Sequence, residues 1–413
     1  MSGMGEVYVV GVGMTPFGRF LGKSVRDLTE MGVDAALADS GCAASWIEAA
    51  FFANSAQGAM DGQHSIRGQL ALRSYPFDAI PIVNVENACA SASTAFNLAC
   101  TQIRAGAAEI VLAVGAEKMF DADKARSFAI FDGSWDVHDV PGNTARLLAL
   151  GVGVDTPEEH RSDDPHSVFV DVYQAFAKFH MRAFGTTPLQ IATVSAKNHH
   201  HSVANPRAQF RRDYTVDEVM TARMIAWPLT LPMCSPISDG AAAAILCAES
   251  ALHRFDRRRA VKVRGSVLAS GGRRTVEDYS AEVSHVAARR AYAAAGIEPG
   301  DIDVAEVHDA TAIGEIQQSE NLMLCGFGEG GPLAESGATR IGGRIPINPS
   351  GGLESKGHPI GATGLAQIFE LVTQLRGEAG LRQVEGAKLA VAENGGGLIG
   401  VESAAVCVTV LGV

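Results

Sequence analysis

Two stretches far apart in this chain repeat one register, and an internal duplication restricts the possible folds more than any other feature of the sequence. From Val7-Tyr8-Val9-Val10 the pattern runs strand, loop, helix (Asp27 to Asp39), Gly41, then a strand near Ala49-Ala50-Phe51-Phe52. A second pass opens with a strand at Val261-Lys262-Val263 and continues with a helix from Ser284 to Ala295, Gly296 and a strand near Val304-Ala305-Glu306-Val307. Gly41 and Ile47 are six apart, as are Gly296 and Ile302. Further on, the short apolar strand Ile80 to Val85 leads through Cys89 into an Ala/Ser-rich helix from Ala90 to Ala107 and the strand Ile110 to Val114. The glycine-dense stretch Gly351 to Gly364 leads through His358 into an apolar helix, Leu365 to Leu375, and the strand Lys388 to Val391. Setting Cys89 on His358 places Thr94 on Thr363. Alternating strands and helices predict an α/β fold with mostly parallel sheets covered by helices. Pseudo-twofold symmetry then brings the two helix-opening turns together.

A cysteine in such a turn is either a buried structural thiol or a nucleophile. If Cys89 stands at a helix N-terminus, the positive end of the helix dipole should lower its pKa and raise its nucleophilicity. A histidine on a facing turn supplies what a thiol nucleophile needs, a base for its proton and a donor for developing oxyanion charge.

The segment from about Phe120 to Trp227 breaks the repeat and is rich in charge, histidine and aromatic residues, as expected of an insertion that shapes a substrate pocket. Its triple histidine, His199-His200-His201, does not read as a metal site, because consecutive residues do not share a helical face and no carboxylate stands at zinc-type spacing. A net charge of −12 and a pI near 5.5 speak against a non-specific nucleic-acid surface. The basic run Arg257-Arg258-Arg259 reads as a solvated helix end. Seven cysteines without paired spacing argue against a disulfide framework and for a reducing compartment. No apolar run reaches the roughly 20 residues of a membrane span, and no leader pattern precedes the first strand, so the expected location is cytoplasmic.

Several motifs in order resemble the thiolase superfamily over nearly the whole chain, in particular its sterol-carrier-protein type. They are Asn87-Ala88-Cys89-Ala90-Ser91, Gly115-Ala116-Glu117-Lys118-Met119, Lys197 to Ser202, Ser238-Asp239-Gly240-Ala241-Ala242, Val307-His308-Asp309, and Asn348-Pro349-Ser350-Gly351-Gly352 through Gly357-His358-Pro359 to Gly364. The resemblance implies a thiolase fold of two tandem αβαβα halves related by a pseudo-twofold, five-layered, with an inserted loop domain. The corresponding boundaries are residues 1–119 with 228–255 for the N-terminal half, 120–227 for the insertion and 256–413 for the C-terminal half. It further implies a homodimer, or a tetramer built from it, an acyl-CoA thioester as substrate and coenzyme A as cosubstrate, without a permanently bound cofactor. Residue by residue, Cys89 matches the nucleophile, His358 its activator in the first oxyanion hole, and His308 the partner donor there. The backbone of Cys89 with that of the glycine loop, Gly395 and Gly396, matches the second oxyanion hole. Ser235 matches a loop position near the coenzyme.

Two departures bear on the reaction. Relatives carry a second cysteine as acid/base for the α-carbon proton, either just after His-Asp or in the glycine loop. Here those positions read Ala310 and Glu393. A buried carboxylate can have its pKa raised far enough to move such a proton, so Glu393 is the candidate for that task, and a structural role at a strand end is the alternative. The expected activity is an acyl-CoA C-acyltransferase, which forms or cleaves a carbon–carbon bond through an acyl-Cys89 intermediate and an enolate. A side-chain aldolase acting on a β-hydroxyacyl-CoA with an OB-fold partner is a second reading, and a non-catalytic acyl-CoA-binding subunit a third.

Overall fold

Gly41 and Gly296 both end their helices in the left-handed conformation, each with φ of 67°, so the repeat in the sequence is a repeat in the backbone. The computed structural model describes residues 5–162 and 166–413. Its strands are β1 (Val7–Met14), β2 (Ala49–Ala53), β3 (Ile82–Val85), β4 (Ile110–Glu117), β5 (Met224–Ala226), β6 (Leu229–Thr230), β7 (Gly240–Ala248), β8 (Val261–Ser270), β9 (Val304–Glu306), β10 (Leu389–Ile399) and β11 (Glu402–Gly412).

Strands β5 and β6 pair as a ribbon, and the other nine run in the order β3-β2-β4-β7-β1-β8-β11-β10-β9. Outward from the centre each half repeats one order and one set of directions. β1 with β7 and β7 with β4 are antiparallel, then β4 with β2 is parallel; β8 with β11 and β11 with β10 are antiparallel, then β10 with β9 is parallel. The second-half counterpart of β3 is reduced to one parallel bridge, Ala305 with Ile347. The halves touch through two residue pairs only, Tyr8 with Lys262 and Val9 with Val261.

The expectation of mostly parallel sheets is corrected by these ladders. Helical crossovers carry the chain between the parallel strands, but the last strand of each half arrives without one. β10 and β11 are joined by Gly400 and Val401 alone, too short for a parallel return.

Side-chain alternation sorts the strands into layers. On β4, Val111 and Ala113 join the central core while Ile110, Leu112 and Val114 join an outer one; on β7, Ala242, Ala244 and Leu246 point inward and Ala243 and Ile245 outward. From the other half Val304, Ala390, Ala392 and Leu411 reach the same central core. The helices Ser91–Arg104 and Thr363–Leu375 fill it with Ala92, Ala95, Phe96, Leu365, Ile368 and Leu371. The helix Val25–Ser40 covers the outer face of the first half through Val25, Leu28, Val33 and Ala36, and the helix Val283–Ala295 that of the second through Ala287, Ala288 and Ala291. Helix, sheet, helix pair, sheet and helix make five layers, as expected. Both helices that follow Cys89 and His358 therefore start in the innermost layer.

Residues 120–227 hold helices, turns and the short strand β5. Each arginine of the run 257–259 is paired with a carboxylate: Arg257 with Glu249, Arg258 with Asp256, and Arg259 with Asp39 and Glu378. No helix among the described residues is long and apolar enough to cross a membrane.

Candidate active site

The Cys89 turn is built around a strained residue. Asn87 is extended, Ala88 takes a left-handed φ of 49°, and Ala88–Ala90 form one turn of 3-10 helix before the α-helix starts at Ser91. A non-glycine residue in that region costs on the order of 1 kcal/mol, and such strain collects at functional sites. Thr94 secures the turn, its hydroxyl donating to the Ala90 carbonyl (2.8 Å) and accepting from Asn87 Nδ2 (3.1 Å).

The His358 turn is held at the equivalent point. The Thr363 hydroxyl donates to the Pro359 carbonyl (3.0 Å), and its oxygen lies 2.7 Å from His358 Nδ1. A hydroxyl has one proton, and here a carbonyl takes it. His358 Nδ1 must then be the donor to Thr363, which leaves Nε2 with a free lone pair. The His358 amide donates to Ser238 Oγ (3.0 Å). Glu117 accepts from the amides of Ser55, Ala56 and Gly361 and so ties the first half to this turn. Asp239 accepts from the amides of Phe20, Met119 and Phe120 and pairs with Lys118, all at 2.8 Å. The conserved-looking character of the Glu-Lys-Met and Ser-Asp-Gly motifs thus has a structural cause: they join the turns.

Cys89, His308 and His358 come together, with one sulfur or ring nitrogen of each within 4.8 Å of the others. The two imidazole rings are 5.1 Å apart between centroids. Burial, then the neighbouring His308 and Lys356, hold His358 well below the ordinary histidine range. Burial brings His308 to about 4, against a small upward pull from the Gly395 backbone, and its Nε2 is buried without a partner among the described residues. Both rings are therefore neutral at pH 7.

The Cys89 thiol departs from expectation. Burial, reinforced by the Glu117 carboxylate and by Glu86, pushes it up to about 12, against a small lowering by its own backbone amide. The helix dipole does not prevail because the α-helix begins only at Ser91, beyond the cysteine, and the site is dry. Its resting form is a neutral thiol beside a neutral imidazole, a pair in which the base takes the proton as the sulfur attacks.

Glu393 is not brought to this centre. Its oxygens accept from Ser284 Oγ (3.3 Å) and from the His308 amide (3.1 Å), so it lies behind His308 on the side of the outer helix. Burial raises its pKa to about 8, offset in part by the His308 amide. Gly396 is brought in: a methyl group there would strike the Asn87 carbonyl and the amides of Cys89 and Ala90, so only glycine lets β10 approach the cysteine this closely. Gly395 packs against His308 Nδ1. Asp309 accepts from the Leu353 amide (2.8 Å) and Asn198 Nδ2 (3.1 Å) in a fully buried network with Glu315, Glu354 and Lys197, which locks the His308 loop to the His358 loop.

These groups open into a cavity of about 240 Å³, lined by Cys89, His308, His358, Gly396 and Ser235. Its apolar wall comes from the insertion, through Phe128, Phe131, Phe169, Val170, Tyr173 and Phe176. Cys234, Ala310 and Thr311 complete the wall and carried no assignment from the sequence. Thr311 directly follows His308-Asp309-Ala310 and was legible by position, but nothing in the sequence shows what its hydroxyl meets. The triple histidine is structural for two members: His199 meets the Pro232 carbonyl and His201 the Asn348 carbonyl, each at 3.0 Å, while His200 pairs with Asp213 at the surface.

The family described as "Thiolase, N-terminal domain" matches residues 7–250, and "Thiolase C-terminal domain-like" matches residues 270–409. The chain is 41% identical over 403 residues to an acetyl-CoA acetyltransferase of Methanothermobacter thermautotrophicus, covering 95% of this chain and 97% of that protein. It is 40% identical over 400 residues to sterol carrier protein 2 of Oryctolagus cuniculus, covering 94% of this chain and 69% of the relative. Among solved structures, the Ltp2-ChsH2(DUF35) aldolase superposes with a TM-score of 0.76 at 22% identity, over 99% of this chain and 98% of that one.

Proposed function

The chain belongs to the thiolase family and is an acyltransferase of that family, and from this premise we propose that it transfers an acyl group from an acyl-CoA or 3-ketoacyl-CoA by way of a thioester on Cys89. The observation that carries the reading is the meeting of Cys89 with a histidine whose free Nε2 is fixed by Thr363. His358 takes the thiol proton as Cys89 Sγ attacks the carbonyl carbon. The negative charge on the carbonyl oxygen is met by donors at the Cys89 turn and the Gly396 loop. Removing one such donor typically costs about 10²–10³ in rate. Collapse of the tetrahedral intermediate expels coenzyme A, or the enolate of an acyl-CoA, and leaves acyl-Cys89. His308, with its unpartnered Nε2, is assigned to the same oxygen or to that of the enolate.

The insertion 120–227 is proposed as the element that selects the acyl chain, since it provides the cavity's aromatic wall. Strand β3 ends the sheet and leaves Val83 exposed, which favours pairing with the same edge of a second copy.

Intact-protein mass spectrometry after incubation with a panel of acyl-CoAs and 3-ketoacyl-CoAs tests the reading. An acyl adduct in the wild type, absent from Cys89→Ala, is the expected result. No adduct, together with turnover of a β-hydroxyacyl-CoA, would replace it with the aldolase reading, whose fold this chain shares.

A further inference from the structure

Making or breaking a carbon–carbon bond beside a thioester needs a group that moves the α-carbon proton, in addition to the pair that handles the acyl group. This inference rests on the acyltransferase reading above. The described cavity wall holds few side chains with a transferable proton: Cys89, His358, His308, Tyr173, His166 and Cys234. Cys89 and His358 are engaged with each other. His308 stacks beside His358 at the carbonyl oxygen, His166 Nε2 lies 2.9 Å from Asp171, and burial holds the Tyr173 phenol far above its usual range.

Cys234 is differently placed. It follows the turn Leu231–Met233, forms a β-bridge with Thr311, and the next residue, Ser235, donates its amide to the Ala310 carbonyl (3.0 Å). Residues facing each other across such a bridge present their side chains on the same side. Both side chains line the cavity, and Cys234 remains partly exposed to it, with one long contact from Sγ to the Thr230 carbonyl (3.6 Å). Thr311 adds an independent sign of a ligand. It occupies the N-cap of the helix Ala312–Asn321, where a threonine hydroxyl normally caps, yet it makes no capping bond. Its Oγ1 is buried without a partner among the described residues, and the residue is 2% exposed. A hydroxyl left bare in a cavity wall is provision for an oxygen of the ligand. The positive end of the same helix favours an anion beside it.

We propose that Cys234 carries the proton of the substrate's α carbon, with the Thr311 hydroxyl donating to an oxygen of the same ligand. In cleavage, the bond between the α and β carbons breaks and leaves an enolate. The Cys234 S–H bond breaks, its proton forms the new C–H bond, and a thiolate remains. Coenzyme A then attacks acyl-Cys89 and gives its thiol proton to that thiolate, restoring Cys234. Condensation is the reverse, with the Cys234 thiolate taking the α proton. Burial raises the Cys234 thiol to about 12, which suits the acid role at the start of cleavage.

The test compares the wild type with Cys234→Ser and Cys234→Ala by two readouts. One is acylation of Cys89, seen as an intact-mass adduct; the other is exchange of acetyl-CoA methyl protons for deuterium in heavy water. The expected result is normal acylation with exchange reduced by about 10²–10⁴, the range for loss of a general acid or base. Exchange at the wild-type rate in either variant overturns the proposal. Loss of acylation in both variants overturns it as well, by making Cys234 a structural residue. A wild type that forms no adduct overturns the functional reading itself, and this role falls with it.

Discussion

His358 is aimed by Thr363: the threonine oxygen, 2.7 Å from Nδ1, gives its own proton to the Pro359 carbonyl and so forces the imidazole proton onto the side facing away from Cys89. Thr94 holds the same place after Cys89 and makes the same backbone bond, to Ala90, but meets an asparagine amide instead of a histidine. Thr363→Val should therefore slow Cys89 acylation about 10–100-fold, the usual cost of losing a partner that orients a functional histidine. Thr94→Val should cost a similar amount of stability, about 1 kcal/mol per lost bond, and little acylation. Stopped acylation with each variant, alongside thermal melts, separates the two.

The resting thiol gives a second prediction, in the pH dependence of alkylation. Only the thiolate reacts with iodoacetamide, and with a pKa pushed up to about 12 the thiolate fraction of Cys89 is minute at pH 7. Alkylation should climb steadily from pH 7 to pH 10 without levelling, while acylation by acyl-CoA, which uses the neutral pair, stays nearly flat over that range. A plateau in alkylation below pH 8 would show a preformed thiolate and contradict the assignment.

Glu393 titrates in the opposite sense from an ordinary surface carboxylate. Its folded pKa of about 8 lies above the unfolded value of about 4.3, so the folded state binds the extra proton between the two. Its contribution to stability is full below the unfolded value and is lost as pH rises through about 8. Glu393→Gln should remove this component, making the protein relatively more stable than wild type above pH 8. Placed behind His308, it should also leave α-proton exchange intact. Denaturation curves across pH and the deuterium assay check the two halves of this statement.

Asp239 is the knot between segments, with three amides and Lys118 converging on one buried carboxylate. Asp239→Ala should destabilise by about 3–5 kcal/mol, the cost of leaving a buried charge and its donors unpaired. Urea denaturation gives the value directly.

Much of this was legible before any coordinates. The duplication, the pairing of Cys89 with His358 and the correspondence of Thr94 with Thr363 follow from register, and register survives folding. Strand direction was not legible, because it depends on how long the connection is; Gly400-Val401 is a two-residue link that only an antiparallel partner can use. Glu393 shows a related limit. Counting from the glycines finds the position along the strand, but on β10 alternate residues face opposite layers, so Ala392 joins the central core while Glu393 turns toward Ser284. The thiol was misjudged because the dipole argument was applied to a residue that stands before the helix, in a dry cavity. Cys234 and Thr311 stayed silent because their adjacency is made by a bridge between segments distant in the chain.

The two-pair seam between β1 and β8 has a further consequence. The central layer belongs to neither half alone, since each supplies one helix to it and one sheet face against it. The protein is in effect a heterodimer whose subunits share a peptide link, and neither would be a finished object by itself. Cut in the connection between β7 and β8 and expressed as two polypeptides, it should behave as a lock with two keyholders: each fragment inert and prone to stick to others, activity returning only on mixing, and rising with the product of their concentrations until the pair is saturated.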